Sequence, residues 1–401
     1  MSGPAPGPRP RAWLPVALAM FAIGWGVNQF VSLLVAYRRD EALSALDVSA
    51  LVGVYALGLI PALLVLGPVS DARGRAPVLR VAALVSVVAT AVLLLDQLWA
   101  LYAGRLLAGV ASGAAFAAGS AWVRELSGPA FDPTTVPGTG ARRAATALSA
   151  GFGLGPLVAG LLAQWAPHPL TVAYLPHLVL AVAILVPLWR APETVPRATA
   201  AVPLGRAVRV SSVREPRFRR LVTPVAPWVF TSATVSLAVL PGLLVDAGGA
   251  AAEYAVALNA VVAGLTLGTG VLVQPLARRL AAHDTRPAAR LGTAAVLAGL
   301  LVAVGYALLP TPWLLLPAAL LLGAGYGSCL VAGLLETQRV AAPHELAGLT
   351  GVFYALTYLG FAAPLVLAAL TALAPYPVLL GALAGLAALT LAWTTLDRRT
   401  A

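Results

Sequence analysis

Apolar runs of about 20 residues follow one another along this chain, separated by short polar breaks. At the helical rise of about 1.5 Å per residue, such a run covers a hydrocarbon core of roughly 30 Å. The runs are continuous and lack the period-two alternation of a barrel strand. They therefore predict membrane-crossing helices, which satisfy their own backbone hydrogen bonds. Twelve are predicted, at roughly 13 to 36, 48 to 69, 76 to 95, 98 to 123, 144 to 166, 169 to 189, 221 to 245, 252 to 277, 290 to 309, 312 to 335, 346 to 370 and 375 to 396. The pattern is that of an all-α integral membrane protein.

The breaks add a direction. All 26 basic residues are arginine, and the net charge is +11. An even number of crossings puts both termini on one face, and 23 of the arginines fall in the tails and breaks of that face. Only Arg38 and Arg39 lie in the opposite breaks, and Arg105 lies within a span. The positive-inside bias then places both termini in the cytoplasm, with the chain passing repeatedly through the cytoplasmic (inner) membrane. Residues 1–12 and 397–401 become cytoplasmic tails, and 13–189 and 221–396 become two six-helix bundles. Between them, 190–220 is a basic linker with eight arginines against Glu193 and Glu215, read as a solvated segment near anionic headgroups.

Composition closes off several function classes. Hydrophobic residues are 60% and charged residues 10%, far from the roughly 25% charged residues of a soluble domain. The apolar run after Arg11 has the length of a full span and no small-residue cleavage site follows it, so it reads as a first span and not a cleaved leader. The single cysteine, Cys329, excludes an intramolecular disulfide and a cysteine metal cluster. No P-loop occurs, and there is no lysine to complete one, which excludes ATP drive within this chain. Basic charge spread along one membrane face, with no soluble domain to present it, excludes nucleic acid. A polytopic membrane enzyme needs paired histidines or carboxylates, yet His168, His177, His283 and His344 are scattered. No cofactor is expected.

The halves resemble one another. "LLAGVASGAAFAAG", ending at Gly119, lies on "LLLGAGYGSCLVAG", ending at Gly333, so that Gly109, Gly113 and Gly119 meet Gly323, Gly327 and Gly333. Both stretches are the fourth span of their half, as an internal duplication requires.

Four stretches carry candidate chemistry. "GPVSDARGRAPVLR", Gly67 to Arg80, places an acid and three arginines in the turn between spans two and three. Two glycines let the helices reverse tightly, and Asp71 near the membrane surface requires a positive partner: Arg75, Arg80 or a helix N-terminus. Arg105, in span four, needs a cavity or a partner at its depth. In span five, "GFGLGPLVAG" places glycines four apart for close helix approach, and Pro156 bends the helix. The turn after span eight, where a second copy of the Gly67–Arg80 pattern falls, has Gln274 in the acid's position.

Twelve spans, a long central break and Gly67, Asp71, Gly74 and Arg75 at G-x3-D-x2-G-R spacing, with Arg80 beyond, resemble the major facilitator superfamily of secondary transporters. The resemblance implies two pseudo-symmetric six-helix bundles that alternate access around a central site, the MFS fold. It implies that the turn is a cytoplasmic gate, with Asp71 facing the start of span eleven near Ala347. It implies a substrate or proton role for Arg105, although Ala108 replaces a common glutamine. Gly151, Gly155, Pro156 and Gly160 are similar to the span-five motif of drug and metabolite exporters, with Ala159 at one glycine position.

Polar residues on inward faces of the spans are the candidate cavity: Trp25, Asn28 and Gln29 in span one, Trp228 and Thr231 in span seven, and Tyr326 in span ten. Such a set suits a neutral or amphipathic organic solute. No carboxylate lies mid-span, so His177 is the candidate proton carrier. The reading is a secondary active transporter, an antiporter coupling efflux of a small organic solute to protons, expected to act as a monomer in the lipid bilayer. An uptake carrier of the same fold for a sugar or metabolite is the alternative, and a membrane enzyme the alternative from another class.

Overall fold

The computed structural model describes residues 11–136, 138–195, 211–342 and 345–396; most of both tails, much of the linker and His344 lie outside the described residues. Among those described, twelve helices are long and apolar enough to cross a membrane. Spans one to six are Leu14–Asp40, Ala45–Arg73, Arg75–Leu93, Leu98–Leu126, Thr139–Trp165 and Pro169–Trp189. Spans seven to twelve are Phe218–Ala247, Ala255–Leu280, Arg286–Leu308, Pro312–Val340, Gly348–Leu370 and Tyr376–Leu396.

Many helices outrun the apolar stretches that predict them. Span two is expected over roughly 48 to 69 and runs Ala45–Arg73, and span ten is expected to end near 335 and reaches Val340. Hydropathy marks only the stretch in hydrocarbon. The backbone stays helical beyond it, because arginines such as Arg73 and Arg339 lie along the last turn and favour a helix C-terminus.

The chain forms two compact units, one of Met1–Phe30 with Val54–Pro203 and one of Val31–Gly53 with Leu204–Ala401. The C-terminal part of span one thus groups with the second unit. There, Asn259 Nδ2 of span eight donates to the Val31 carbonyl at 2.8 Å, and Arg38 pairs with Asp246 at 2.5 Å. Its neighbour Arg39 pairs with Asp40 at 2.7 Å.

Within each unit the same glycines do the same work. A Cβ on Gly109 would run into the Tyr55 carbonyl of span two, and one on Gly113 would lie 2.7 Å from the Leu59 carbonyl. In the second unit, Gly323 lies on Thr266 and Gly327 on Gly270, both in span eight. Span four packs on span two as span ten packs on span eight, backbone against backbone, which is how helices gain contact in lipid. The third aligned pair diverges: Gly119 meets Met20 of span one, whereas Gly333 meets the Phe353 ring of span eleven.

The helices are interrupted where apolar periodicity has no warning. Ala115–Gly119 in span four, and Phe218–Val222 and Val235–Val239 in span seven, are π-helical turns, and Leu359–Ala362 in span eleven is a 3-10 turn. Such breaks shift the register of the following side chains and free backbone groups for other partners.

Gly109→Val forces overpacking against the span-two backbone and is expected to destabilise the protein by about 1–3 kcal/mol. Gly385→Val, at a position with nothing within 4 Å of a built Cβ, is expected to be nearly neutral. Thermal unfolding of the two purified variants in one detergent checks the contrast.

Candidate functional site

The turn between spans two and three is a single residue. Gly74 adopts φ +105°, a conformation that side chains other than glycine resist, and it ends span two at Arg73 while starting span three at Arg75. The reversal brings Arg75 into an ion pair with Asp71. The same guanidinium donates to Glu125 Oε1, from Nη2 at 3.0 Å and from Nε at 3.2 Å, and to Ser70 Oγ at 2.7 Å. Arg75 is thus the centre of the cluster, and Glu125 at the end of span four is a partner that local sequence spacing does not reveal. Arg75 is one of the partners expected for Asp71. Arg80 does not join it and instead donates to the carbonyls of Trp189 at 2.8 Å and Ala191 at 3.1 Å, with its guanidinium 5.7 Å from the Trp189 ring centroid. Gly67 packs 3.7 Å from the Ala117 methyl, measured from a built Cβ.

A second acid completes this corner. Glu193, just past span six, accepts from the backbone N–H of Arg75 at 3.0 Å and of Ala76 at 2.8 Å. Gly74 supplies no side chain to cap span three, and a Cβ there would collide with this carboxylate, so Glu193 acts as the cap from another part of the chain. Burial pushes the Glu193 carboxyl up, but backbone N–H bonds from Val195, Ala76, Arg75 and Thr194 outweigh it and hold the group below its ordinary value. Thr194 bonds Glu125, and Trp122 Nε1 donates to the Pro192 carbonyl at 2.9 Å. The beginning of the linker is therefore clasped onto the motif, where the sequence alone reads it as solvated.

Deeper in the first unit lies a buried polar line. Gln29 Nε2 donates to Thr90 Oγ1 at 3.3 Å, and that hydroxyl lies 2.8 Å from His177 Nδ1. Spans one, three and six are joined by these contacts, and Gly26 makes room for the imidazole, whose ring a Cβ at that position would strike. Arg105 is 3% exposed and donates to the Val27 carbonyl at 3.0 Å, with its guanidinium carbon 4.7 Å and 4.8 Å from the ring centroids of Phe30 and Tyr55. A carbonyl and two aromatic faces are what a charge at this depth requires.

Span five fits against span one. Gly151 lies on the Phe21 carbonyl, and a Cβ on Gly155 would be 2.6 Å from the Trp25 carbonyl. Asn28 Nδ2 donates back to the Phe152 carbonyl at 3.3 Å. Pro156 and Gly160 are buried in the same helix. The motif glycines thus set the place of Trp25 and Asn28, and Trp25 also meets Phe21 edge-on at 5.8 Å between centroids.

In the second unit, Trp228 Nε1 donates to Thr390 Oγ1 of span twelve at 3.0 Å, and Thr231 is buried. Tyr326 belongs to an aromatic group centred on Phe230, which lies 5.9 Å from Tyr326, 5.0 Å from Tyr358 and 4.8 Å from Phe361 between ring centroids. The 3-10 turn of span eleven holds this group: Gly360 admits the span-seven backbone at Thr231, and Thr234 Oγ1 donates to the Gly360 carbonyl at 3.0 Å. Of these aromatics, the sequence reading includes Tyr326 alone.

The arginine-rich end of the second unit repeats the first with other residues. Gln274 takes Arg278 as its partner at 3.1 Å and stands apart from the local acid cluster. In that cluster Arg217 joins Glu336 at 2.7 Å and Asp284 at 3.0 Å, and Thr285 donates to Glu336 at 2.5 Å. Arg290 donates to the Thr394 carbonyl at 3.1 Å near the end of span twelve, as Arg80 does at the end of span six. Glu345, before span eleven, accepts from Ser212 Oγ at 2.6 Å, Ser211 Oγ at 2.7 Å, and the Ser212 and Ser211 amides at 2.8 and 3.0 Å.

The Major Facilitator Superfamily model matches residues 16–364 of the chain. Among solved structures, a variant of the nucleoside transporter NupG matches with TM-score 0.77 and 11% identity, over 96% of this chain and 100% of that one. A POT family transporter in complex with 5-aminolevulinic acid matches with TM-score 0.76 and 11% identity, over 96% of each chain. The human organic anion transporter MFSD10 (TETRAN) matches with TM-score 0.63 and 21% identity, over 96% of this chain and 99% of that one. At such identities the likeness concerns the fold. No curated protein matches the chain by sequence.

The donors around Glu345 are open to a direct check. Hydroxyl bonds from Ser212 and Ser211 and then their amides hold its carboxyl down to about 2 from an ordinary 4.5, against the raising effect of desolvation. Because the folded value is depressed, the stabilisation is fully present above about pH 4.5 and is lost as pH falls toward about 2. Glu345→Gln is therefore expected to flatten the acid side of the stability profile over that window, as measured by unfolding temperature against pH.

Proposed function

The chain belongs to the major facilitator superfamily, a family of membrane transporters, and on that premise we propose that it exports small neutral or amphipathic organic solutes across the cytoplasmic membrane in exchange for protons. The observation that carries this reading is the seat of span five on span one. The exporter-type residues Gly151 and Gly155 set the backbone of Phe21 and Trp25, and so position Trp25 and Asn28, two candidate substrate contacts. In the second unit, Thr231, Tyr326 and the rings around Phe230 offer hydroxyls and aromatic faces with no charged side chain among them. This chemistry favours uncharged or amphipathic cargo over sugars that need many polar partners.

Proton exchange is assigned to His177, whose imidazole meets the Thr90 hydroxyl; that hydroxyl accepts from Gln29 and so links the imidazole to span one. Arg105 supplies a fixed positive charge on the same span through Val27. The Asp71–Arg75–Glu125 cluster, clasped by Glu193, serves as the cytoplasmic gate element, with both termini on that face.

Reconstitution in proteoliposomes with an imposed pH gradient, against a panel of amphipathic drugs and small metabolites, tests the reading. Accumulation of a solute against its own gradient, driven by the proton gradient and abolished by a protonophore, is the expected result. His177→Gln is expected to remove that accumulation while leaving solute exchange in place. Solute flux indifferent to the pH gradient, or driven by protons moving in the same direction as the solute, would overturn it in favour of the uptake carrier.

A further inference from the structure

At the arginine-rich end of the first unit, a groove of about 520 Å³ opens between the start of span one and the end of span six. Arg11 and Arg190 line it together with apolar residues: Pro15 from span one, Val186 and Pro187 from span six, and Ala191 beyond. Neither arginine has an ion pair among the described residues, whereas neighbouring Arg75, Arg80 and Arg143 are each bound to carboxylates or carbonyls. Two exposed positive charges side by side repel unless an anion lies between them. The groove therefore lacks a negative partner.

The base of the groove is built, not merely left over. Arg80 fixes the Trp189 and Ala191 carbonyls, and Trp122 fixes the Pro192 carbonyl, so the segment that carries Arg190 is held from behind. Pro15, Pro187 and Pro192 stiffen the walls.

What lies beside the groove says which anion fits. Val179, Val182 and Val186 are 69%, 49% and 59% exposed, and at spacings of three and four they form one outward stripe along span six. That stripe runs along span six away from Arg190. Trp189, 46% exposed, sits at the same level as the pair, where an indole suits the headgroup boundary. A charged headgroup between the arginines with an acyl chain along the valines satisfies both halves of the site. A soluble phosphate would satisfy only the first.

We propose that this groove is a binding site for an anionic phospholipid, whose phosphate bridges Arg11 and Arg190 and whose acyl chain follows Val186, Val182 and Val179. A zwitterionic headgroup brings a cation against the same arginines and is disfavoured. Because Arg80 and Trp122 couple the groove to the segment that carries Glu193, an occupied site braces the clasp on the gate turn. The proposal does not depend on the direction of transport or on the cargo.

Native mass spectrometry of the full-length protein, released from detergent after titration with phosphatidylglycerol or with phosphatidylcholine of the same acyl chains, reads the site directly. Phosphatidylglycerol is expected to bind more tightly. Arg11→Gln with Arg190→Gln is expected to weaken it by about thirtyfold, the worth of two arginines at a charged lipid surface, while phosphatidylcholine binding stays as it was. Val186→Glu, which keeps both arginines and obstructs the acyl path at an exposed position, is expected to weaken phosphatidylglycerol as well and stands in if the double variant fails to fold. Equal affinity for the two lipids, or undiminished phosphatidylglycerol binding in the double variant or in Val186→Glu, would overturn the proposal. Displacement of the lipid by glycerol phosphate at equal concentration would overturn it too, since it would reveal a soluble-anion site.

Discussion

Hydrocarbon offers no hydrogen-bond partner, and several polar side chains within the described spans are arranged around that fact. Arg105 is buried within span four and is held by the Val27 carbonyl and the faces of Phe30 and Tyr55. Gln29, Thr90 and His177 partner one another across three spans. Asn259 uses the Val31 carbonyl. These contacts choose which helices touch, because a helix carrying an unpaired polar group in lipid is strongly disfavoured. The glycines then decide how closely they touch.

The likeness of the halves shows in packing more than in letters. Gly109 and Gly113 admit span two as Gly323 and Gly327 admit span eight. Gly151 and Gly155 admit span one in the first unit, and Gly360 admits span seven in the second. Arg80 and Arg290 each reach the end of the sixth span of their own half. The acid clusters differ most. Asp71, Arg75 and Glu125 surround a one-residue turn, while Arg217, Glu336 and Asp284 gather partners from before span seven, from span ten and from the turn before span nine. Both ends thus gather ion pairs, with unlike residues, and the second cluster is not visible from Gln274 alone.

What the sequence makes legible is local. Apolar run length is a property of a window, so the number of spans and their order can be read directly, as can the tight turn at Gly74 and the small-residue face of span five. Pairings between distant positions are not written in any window. Glu193 caps a helix that starts 118 residues before it, and the Thr90 hydroxyl meets an imidazole 87 residues on. Glu193 reads as one acid in a basic linker until the fold brings it to Gly74. The ring group of Phe230, Tyr358 and Phe361 is hidden for the same reason, and also because the turn at Leu359–Ala362 alters the helical register that a periodicity argument assumes.

The central claim is that the polar face of span one is reached by water from both sides of the membrane in turn. Cys329 is the only cysteine and is buried, so a Cys329→Ser background leaves a clean reporter for Asn28→Cys. Labelling of that position by a membrane-impermeant thiol reagent, in right-side-out and inverted vesicles, is the direct measurement. The account predicts reaction from each side, with a transported solute shifting the balance between them. Reaction from one side only, unchanged by any transported solute, would contradict it.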